Sequence, residues 1–341
     1  MVKEYLNKVK TGPVQVSFDV TSNCNLRCVH CFNDSGTEAP FRDMSREKRL
    51  EIARQIGEFH PINVCLCGGE TTCCPYLLEI IDILRPQVGM LSMVSNGFLM
   101  TEQLAETLKE HGLTMVQISI DGAYAWQHDS FRGRSGSYER AVNAVRYLKK
   151  AGFEKIDVSL VPNRLNYNTM DAYSKMCFEL GVTQIRMMPF LPSGRGASIG
   201  RSLMLNEEEY LAFGRDITRL KAEYEGKMEF QWGDPLDHMR RMPANAKLGM
   251  TSYIMEIKTN GDLTFTTYLP VTAGNCCAHS LQEYWDAGYN TIWGNDDYVQ
   301  YPEQIRNIYD LENFEPQPYT GEMIRKDLLG ATKETEGEAG K

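Results

Sequence analysis

The first two-thirds of the chain switches repeatedly between period-two and helical hydrophobicity. "VQVSFDV" (14–20) places an apolar residue at every second position, the pattern of a half-buried strand. Ser45 then caps a helix over "REKRLEIARQIGEF", and "INVCLC" gives a second strand. The rhythm continues with the helix "YLLEIIDILRP" after Pro75, the strand "MLSMVS" and the helix "EQLAETLKEHG" opened by Thr101. It goes on through "MVQISID", the helix "YERAVNAVRYLKKAG" opened by Ser137, "IDVSLVP", "MDAYSKMCFELG" and the sixth strand, "QIRMMPF". Asn206 and Glu209 form a capping box for the helix that closes the series.

Six strand–helix units predict an α/β fold with a parallel sheet covered by helices, because parallel neighbours need crossovers. Six units rather than eight predict an open, partial (β/α)6 TIM-like barrel over 14–225, with its chemistry on the loops after the strands. Residues 1–13 are a lead-in. From 226 the rhythm changes. "SYIMEIKTNGDLTFTTYLP" reads as a hairpin turning at Asn260-Gly261, within a smaller α+β extension over 226–320. Residues 321–341, poor in apolar side chains, are expected to be disordered.

The 341 residues are 42% hydrophobic and 24% charged, enough to bury a sizeable core. A net charge of -9 argues against nucleic acid or an anionic membrane as partner. No signal-like apolar run and no stretch of membrane-spanning length is present, so a cytoplasmic location with reduced thiols is expected. The ten cysteines are then metal ligands, redox groups or small buried residues rather than disulfides.

"TSNCNLRCVHCFN" sets Cys24, Cys28 and Cys31 in the loop after the first strand. Thiolates at this spacing suit a four-iron cluster, and three of them leave one iron open to a substrate or cofactor. A zinc site completed by His30 or a distant residue is the alternative. After the second strand, Gly68 and Gly69 permit close backbone approach, and Glu70 offers an acceptor for an ammonium group. "SNG" (95–97) follows the third strand, and Ser119 and Asp121 end the fourth. Each alone is an ordinary turn or cap. Together they put polar groups after successive strands at one barrel mouth.

The spacing Cys-x-x-x-Cys-x-x-Cys with His30 before the last cysteine, followed by "GGE", "SNG", "SIDG" and "MPFLPSGRG", resembles the radical S-adenosylmethionine (SAM) enzymes. The resemblance implies a partial six-stranded barrel and a [4Fe-4S] cluster on Cys24, Cys28 and Cys31, with SAM chelated to the open iron. It also implies that Gly68, Gly69 and Glu70 meet the methionine amine and that Asn96, Ser119 and Asp121 contact methionine or ribose. Arg132 would pair with the carboxylate, and His30, with Met188 a lesser candidate, would lie by the adenine.

The C-terminal region resembles the SPASM or twitch extension, which normally carries cysteines for auxiliary clusters. Here Ala246 and Thr266 stand where cysteines are usual, so one cluster is expected and a second lacks its ligands. Cys276 and Cys277 are candidates for a hydrogen-atom donor, against a structural role. Cys65, Cys67, Cys73, Cys74 and Cys177 read as buried structural residues.

The implied activity is hydrogen abstraction from a ribosomally made peptide or protein side chain, with an electron donor such as flavodoxin or ferredoxin. Cofactor biosynthesis on a tetrapyrrole-like acid held by Arg186, Arg195 and Arg201 is the alternative. A non-catalytic iron–sulfur sensor or scaffold is the rival from another class.

Overall fold

The structure, a computed structural model, describes residues 11–317 and 321–330. Six parallel strands pair in sequence order: β1 (Gln15–Thr21), β2 (Asn63–Gly68), β3 (Met90–Ser95), β4 (Met115–Ser119), β5 (Lys155–Leu160) and β6 (Gln184–Met187). The intervening helices are α1 (Arg46–Glu58), α2 (Leu77–Leu84), α3 (Glu102–Glu110), α4 (Ala125–Arg132), α5 (Ser137–Lys150) and α6 (Met170–Glu179). After β6 come α7 (Arg195–Leu203) and α8 (Glu207–Glu223). Ser45, Thr101 and Asn206 cap their helices as the sequence indicates, each side chain accepting from a backbone N–H of the first turn.

Alternation within the strands sorts the side chains. Val16, Phe18, Val64, Leu66, Val116, Ile118, Ile156 and Val158 are fully or almost fully buried in the hydrophobic core. The other face carries Ser17, Asp19, Cys67, Gln117, Ser119, Ser159 and Arg186, which line cavities inside the sheet. The lumen is thus polar and open rather than filled with apolar layers as in a complete barrel.

The sheet runs through the boundary expected at 225/226. β7 (Glu229–Trp232) pairs parallel with β6, and beyond α9 (Pro235–Lys247) the strand β8 (Ile254–Ile257) pairs parallel with β1 at the opposite side. β9 (Asp262–Thr264) folds back antiparallel on β8 through Gly261 at φ +87°, and β10 (Thr272–Asn275) completes a ten-stranded sheet. The expected hairpin is present. Its membership of the barrel sheet is the correction. β7 is four residues with only Phe230 buried, so its pattern is too short to read.

A second correction concerns the tail. Ile324 bridges Val271, Leu328 N–H donates to Ala273 O at 3.0 Å, and Thr272 Oγ1 donates to Lys326 O at 2.7 Å. Ile324 and Leu328, two of the four apolar residues of this segment, pack on the core, and averaging composition over 321–341 hides them. The expectations for 1–10 and 331–341 lie outside the described residues.

Candidate functional site

The loop carrying the three cysteines leaves β1 and is gripped from three sides. On the β2 side, Gly69 N–H donates to Thr21 O at 2.6 Å and Glu70 N–H to Asn23 O at 2.9 Å. A Cβ at Gly68 or Gly69 would lie 2.4 or 2.3 Å from those same two carbonyls, which is why "GG" stands there. On the α4 side, Val29 N–H donates to Phe131 O at 3.0 Å. On the third side, Arg195 N–H donates to Cys31 O at 3.0 Å, beside Gly194 at φ +54°. The Arg195 guanidinium donates to Cys28 O at 3.1 Å, Asp34 Oδ1 at 2.5 Å and Ser35 O at 2.9 Å. Arg195 therefore orders the cysteine loop and is not available to hold an acidic substrate, contrary to expectation. The Arg201 side chain lies outside the described residues.

The buried carboxylates tie the strand-end motifs together. Glu70 is buried; its Oε1 accepts from Ser95 Oγ at 2.7 Å and Thr72 Oγ1 at 2.5 Å, and its Oε2 from Asn96 N–H at 2.7 Å. Asn96 in turn donates to Asn25 Oδ1 at 2.8 Å and lies 3.9 Å from Cys24 Sγ. Asp121, wholly buried, accepts from Arg132 Nε at 2.6 Å and Val161 N–H at 2.8 Å. Arg132 Nη1 sits 3.8 Å from Cys28 Sγ. Burial pushes the Asp121 carboxyl up, but the Arg132 guanidinium and neighbouring charges outweigh it and hold the group below its ordinary value. Neither the Glu70 nor the Asp121 side chain lines the cavities below.

Cys24, Cys28 and Cys31 share a cavity of about 290 Å³ with Gly68, Gly69, Asn96, Ser119 and Arg132. An adjoining cavity of about 410 Å³ adds His30, Arg186 and Met188. Eight of the sequence-derived positions thus meet at the C-terminal ends of β1 to β4, and His30 joins them next door. The His30 ring stacks on Phe131 at 3.8 Å, and its buried Nδ1 has no partner. Burial, then the Arg132 charge, pushes its imidazole down to about 3, so the ring is neutral.

Burial pushes the Cys24 thiol up to about 12 and raises Cys28 against the pull of Arg132. Such sulfurs ionise only beside a cationic centre, which fits a thiolate-ligated cluster. Among the described residues no three His, Cys, Asp or Glu side chains converge closely enough to hold a single ion.

Several lining residues escaped the motif reading. Ser17 and Asp19 on β1, with Glu256 on β8 and Lys258 after it, face the triplet's cavity. Lys258 Nζ lies 3.3 Å from Asp19 Oδ2, and burial pushes the Glu256 carboxyl up to about 7. The signal was present as polar residues at alternate strand positions. Cys276 and Cys277 do not line these cavities. Cys276 N–H donates to Gly261 O at 2.8 Å, and Cys277 is exposed on the turn after β10. In the sheet β9 and β8 stand between β10 and β1.

The Radical SAM superfamily profile matches residues 18–176. The mycofactocin maturase MftC of Mycobacterium ulcerans is 32% identical over 293 residues, covering 83% of this chain and 75% of that protein. The chain belongs to the radical SAM superfamily. Membership implies a [4Fe-4S] cluster and SAM as the reactive pair. The MftC of Mycolicibacterium smegmatis is 32% identical over 198 residues, and the chain spans about half, 50%, of its length. An AdoMet-dependent heme synthase of Methanosarcina barkeri is 25% identical, with 81% of this chain and 82% of that one covered. Among solved structures, Streptococcus suis SuiB bound to S-adenosylmethionine superposes with a TM-score of 0.68. That match covers 96% of this chain and 80% of SuiB at 16% identity, a likeness of fold. Among the described residues no helix is long and apolar enough to cross a membrane.

Proposed function

We propose that this radical SAM chain abstracts a hydrogen atom from a ribosomally made peptide or protein side chain. The observation that carries the reading is the single cavity shared by Cys24, Cys28 and Cys31 with the strand-end groups Gly68, Gly69, Asn96, Ser119 and Arg132. The three cysteines would hold one [4Fe-4S] cluster. When bound, the cluster and SAM together supply a 5′-deoxyadenosyl radical, and the protein's part is to place and shield it. The Gly68–Gly69 backbone leaves room for the methionine end, and the Arg132 cation suits its carboxylate. Neutral His30, stacked on Phe131, offers an unpartnered Nδ1 at the adenine end. Glu70 and Asp121 act at one remove, orienting Asn96 and Arg132.

Similarity to MftC over most of the chain favours a peptide substrate, and a flavodoxin- or ferredoxin-class protein would deliver the electron. Anaerobic reconstitution with iron and sulfide, followed by SAM and a strong reductant, should release 5′-deoxyadenosine. A full cluster with no SAM cleavage would refute the reading and leave the iron–sulfur sensor. A second reading, cofactor synthesis on a tetrapyrrole-like acid, draws on the heme synthase similarity and on Arg186, which lines the cavity and donates to the amide oxygens of Gln231 and Gln117. Substrate-dependent 5′-deoxyadenosine formation with candidate peptides, set against the same assay with porphyrin carboxylates, separates the two.

A further inference from the structure

The lumen holds a pair of thiols that the radical chemistry above does not use. Cys65 and Cys67 lie two residues apart on β2, so the strand period turns both into the lumen while Val64 and Leu66 are fully buried in the core. Their sulfurs are 3.4 Å apart, and Ser17 Oγ donates to Cys67 Sγ at 3.7 Å. Cys67 lines the cavity that holds Cys24, Cys28 and Cys31. Cys65 is one step deeper, in register with Ser92 of β3.

The two sulfurs are not equivalent. The hydrogen bond from Cys67 holds the Cys65 thiol below its ordinary value, the same bond and burial hold Cys67 well above, and Cys67 therefore keeps its hydrogen. Positions two apart on an extended strand are separated by about 6.6–6.8 Å, the upper end of what a disulfide spans. A disulfide here would form with strain and be readily reduced again.

We infer that Cys67 is a hydrogen-atom donor to a carbon-centred radical in this cavity, with Cys65 as its resolving thiol. The inference rests on the radical reading of the site. In the first step the S–H bond of Cys67 breaks and a C–H bond forms on the radical carbon, leaving a sulfur radical. Cys65 then loses its proton to solvent and bonds to that sulfur, giving a disulfide with one excess electron. The electron leaves to a one-electron carrier of the iron–sulfur or flavin class, and an external dithiol restores both thiols. In sum, one carbon radical and two thiols give one C–H bond, one disulfide, one proton and one electron. The substrate class is one whose radical ends as a new C–H bond, so that product carries a hydrogen drawn from the protein.

The test uses cluster-loaded protein with SAM and reductant alone, in heavy water, where thiols carry deuterium and the 5′-deoxyadenosyl radical itself is the acceptor. The deuterium content per molecule of 5′-deoxyadenosine should fall several-fold in Cys67→Ser, while Cys177→Ser, whose thiol is buried in α6, keeps the wild-type ratio. Mass spectrometry after acid quench and alkylation should show the peptide spanning Cys65 and Cys67 lighter by two hydrogens after turnover, with Cys65→Ser abolishing the change. In protein without a cluster, a glutathione redox buffer should form the same disulfide reversibly. An unchanged isotope ratio in Cys67→Ser overturns the donor role. Failure of the disulfide to form under both conditions overturns the resolving role and with it the pair. If loaded wild-type protein releases no 5′-deoxyadenosine, the radical reading falls and the dithiol role falls with it.

Discussion

Asp121 and Arg132 form a buried ion pair, 2.6 Å from Asp121 Oδ2 to Arg132 Nε, beneath the cysteine loop. Replacing Asp121 with Asn leaves the guanidinium without its counter-charge beside Cys28. Breaking such a pair by removing one partner costs about 3–5 kcal/mol. Urea unfolding of the Asp121→Asn variant should show a loss in that range, together with lower iron uptake. A loss under about 1 kcal/mol would mean the pair is solvated and structurally idle.

Gly194 and Arg195 hold the loop from the barrel's far side. A Cβ at Gly194 would sit 2.5 Å from Phe32 O and 2.6 Å from Cys31 O, at a positive φ as well. Gly194→Ala should therefore destabilise by about 1–3 kcal/mol and displace Cys31. Arg195→Ala should depress iron and sulfide content after reconstitution, and Arg195→Lys should restore only part, since an ammonium lacks the fork that reaches Cys28 O, Asp34 and Ser35 together. Full iron content in Arg195→Ala would remove it from the loop's supports.

Two buried groups give opposite pH slopes. His128, whose Nδ1 accepts from Asp121 N–H, is pushed down to about 4 by burial and Arg132. The unfolded chain protonates near 6.5, so stability is full above that value and is lost as pH falls toward 4. Glu256 is raised by burial to about 7, with Lys258, Asp19 and Thr264 around it. Between about 4.5 and 7 the folded state holds a proton that the unfolded state gives up, so stability declines as pH rises. Glu256→Gln should gain stability over wild type at pH 8 but not at pH 4, and His128→Asn should gain at pH 5 relative to pH 8. Parallel urea midpoints for wild type and either variant would exclude the assignment of that group.

Exchanging Cys24, Cys28 and Cys31 for alanine should remove the visible cluster absorbance and all bound iron. Wild-type protein should carry about four irons per chain, as one cubane requires. Iron retained in the triple variant would move the cluster elsewhere. About eight irons would require a second ligand set from the remaining cysteines.

Local signals carried much of this architecture. The apolar alternation of Val14 to Val20 and the caps at Ser45, Thr101 and Asn206 placed strands and helices correctly, because each is fixed by neighbours a few residues away. The cysteine triplet and the "GGE", "SNG" and "SID" turns could be assigned to one mouth because parallel strands present their C-terminal ends together. What stayed hidden was long-range. The pairing of β8 with β1 brings Glu256 and Lys258 to the triplet, and no periodicity within "YIMEIK" announces its partner. Arg195 reads as a candidate to hold an acidic substrate until the fold delivers it to Cys28 O. Glu70 and Asp121 read as ligand contacts, and the fold adds that their oxygens accept from Ser95, Asn96, Arg132 and Val161.

The union of β1 and β8 also sets an order in time. Lys258 and Asp19, which meet across that seam, are 239 residues apart. At about 5–20 residues per second of synthesis, the cysteine loop leaves the ribosome roughly ten to fifty seconds before the strand that walls its cavity. A nascent chain in that interval has β1 with its β8 edge bare and the cavity of the three thiols without the wall that Glu256 and Lys258 supply.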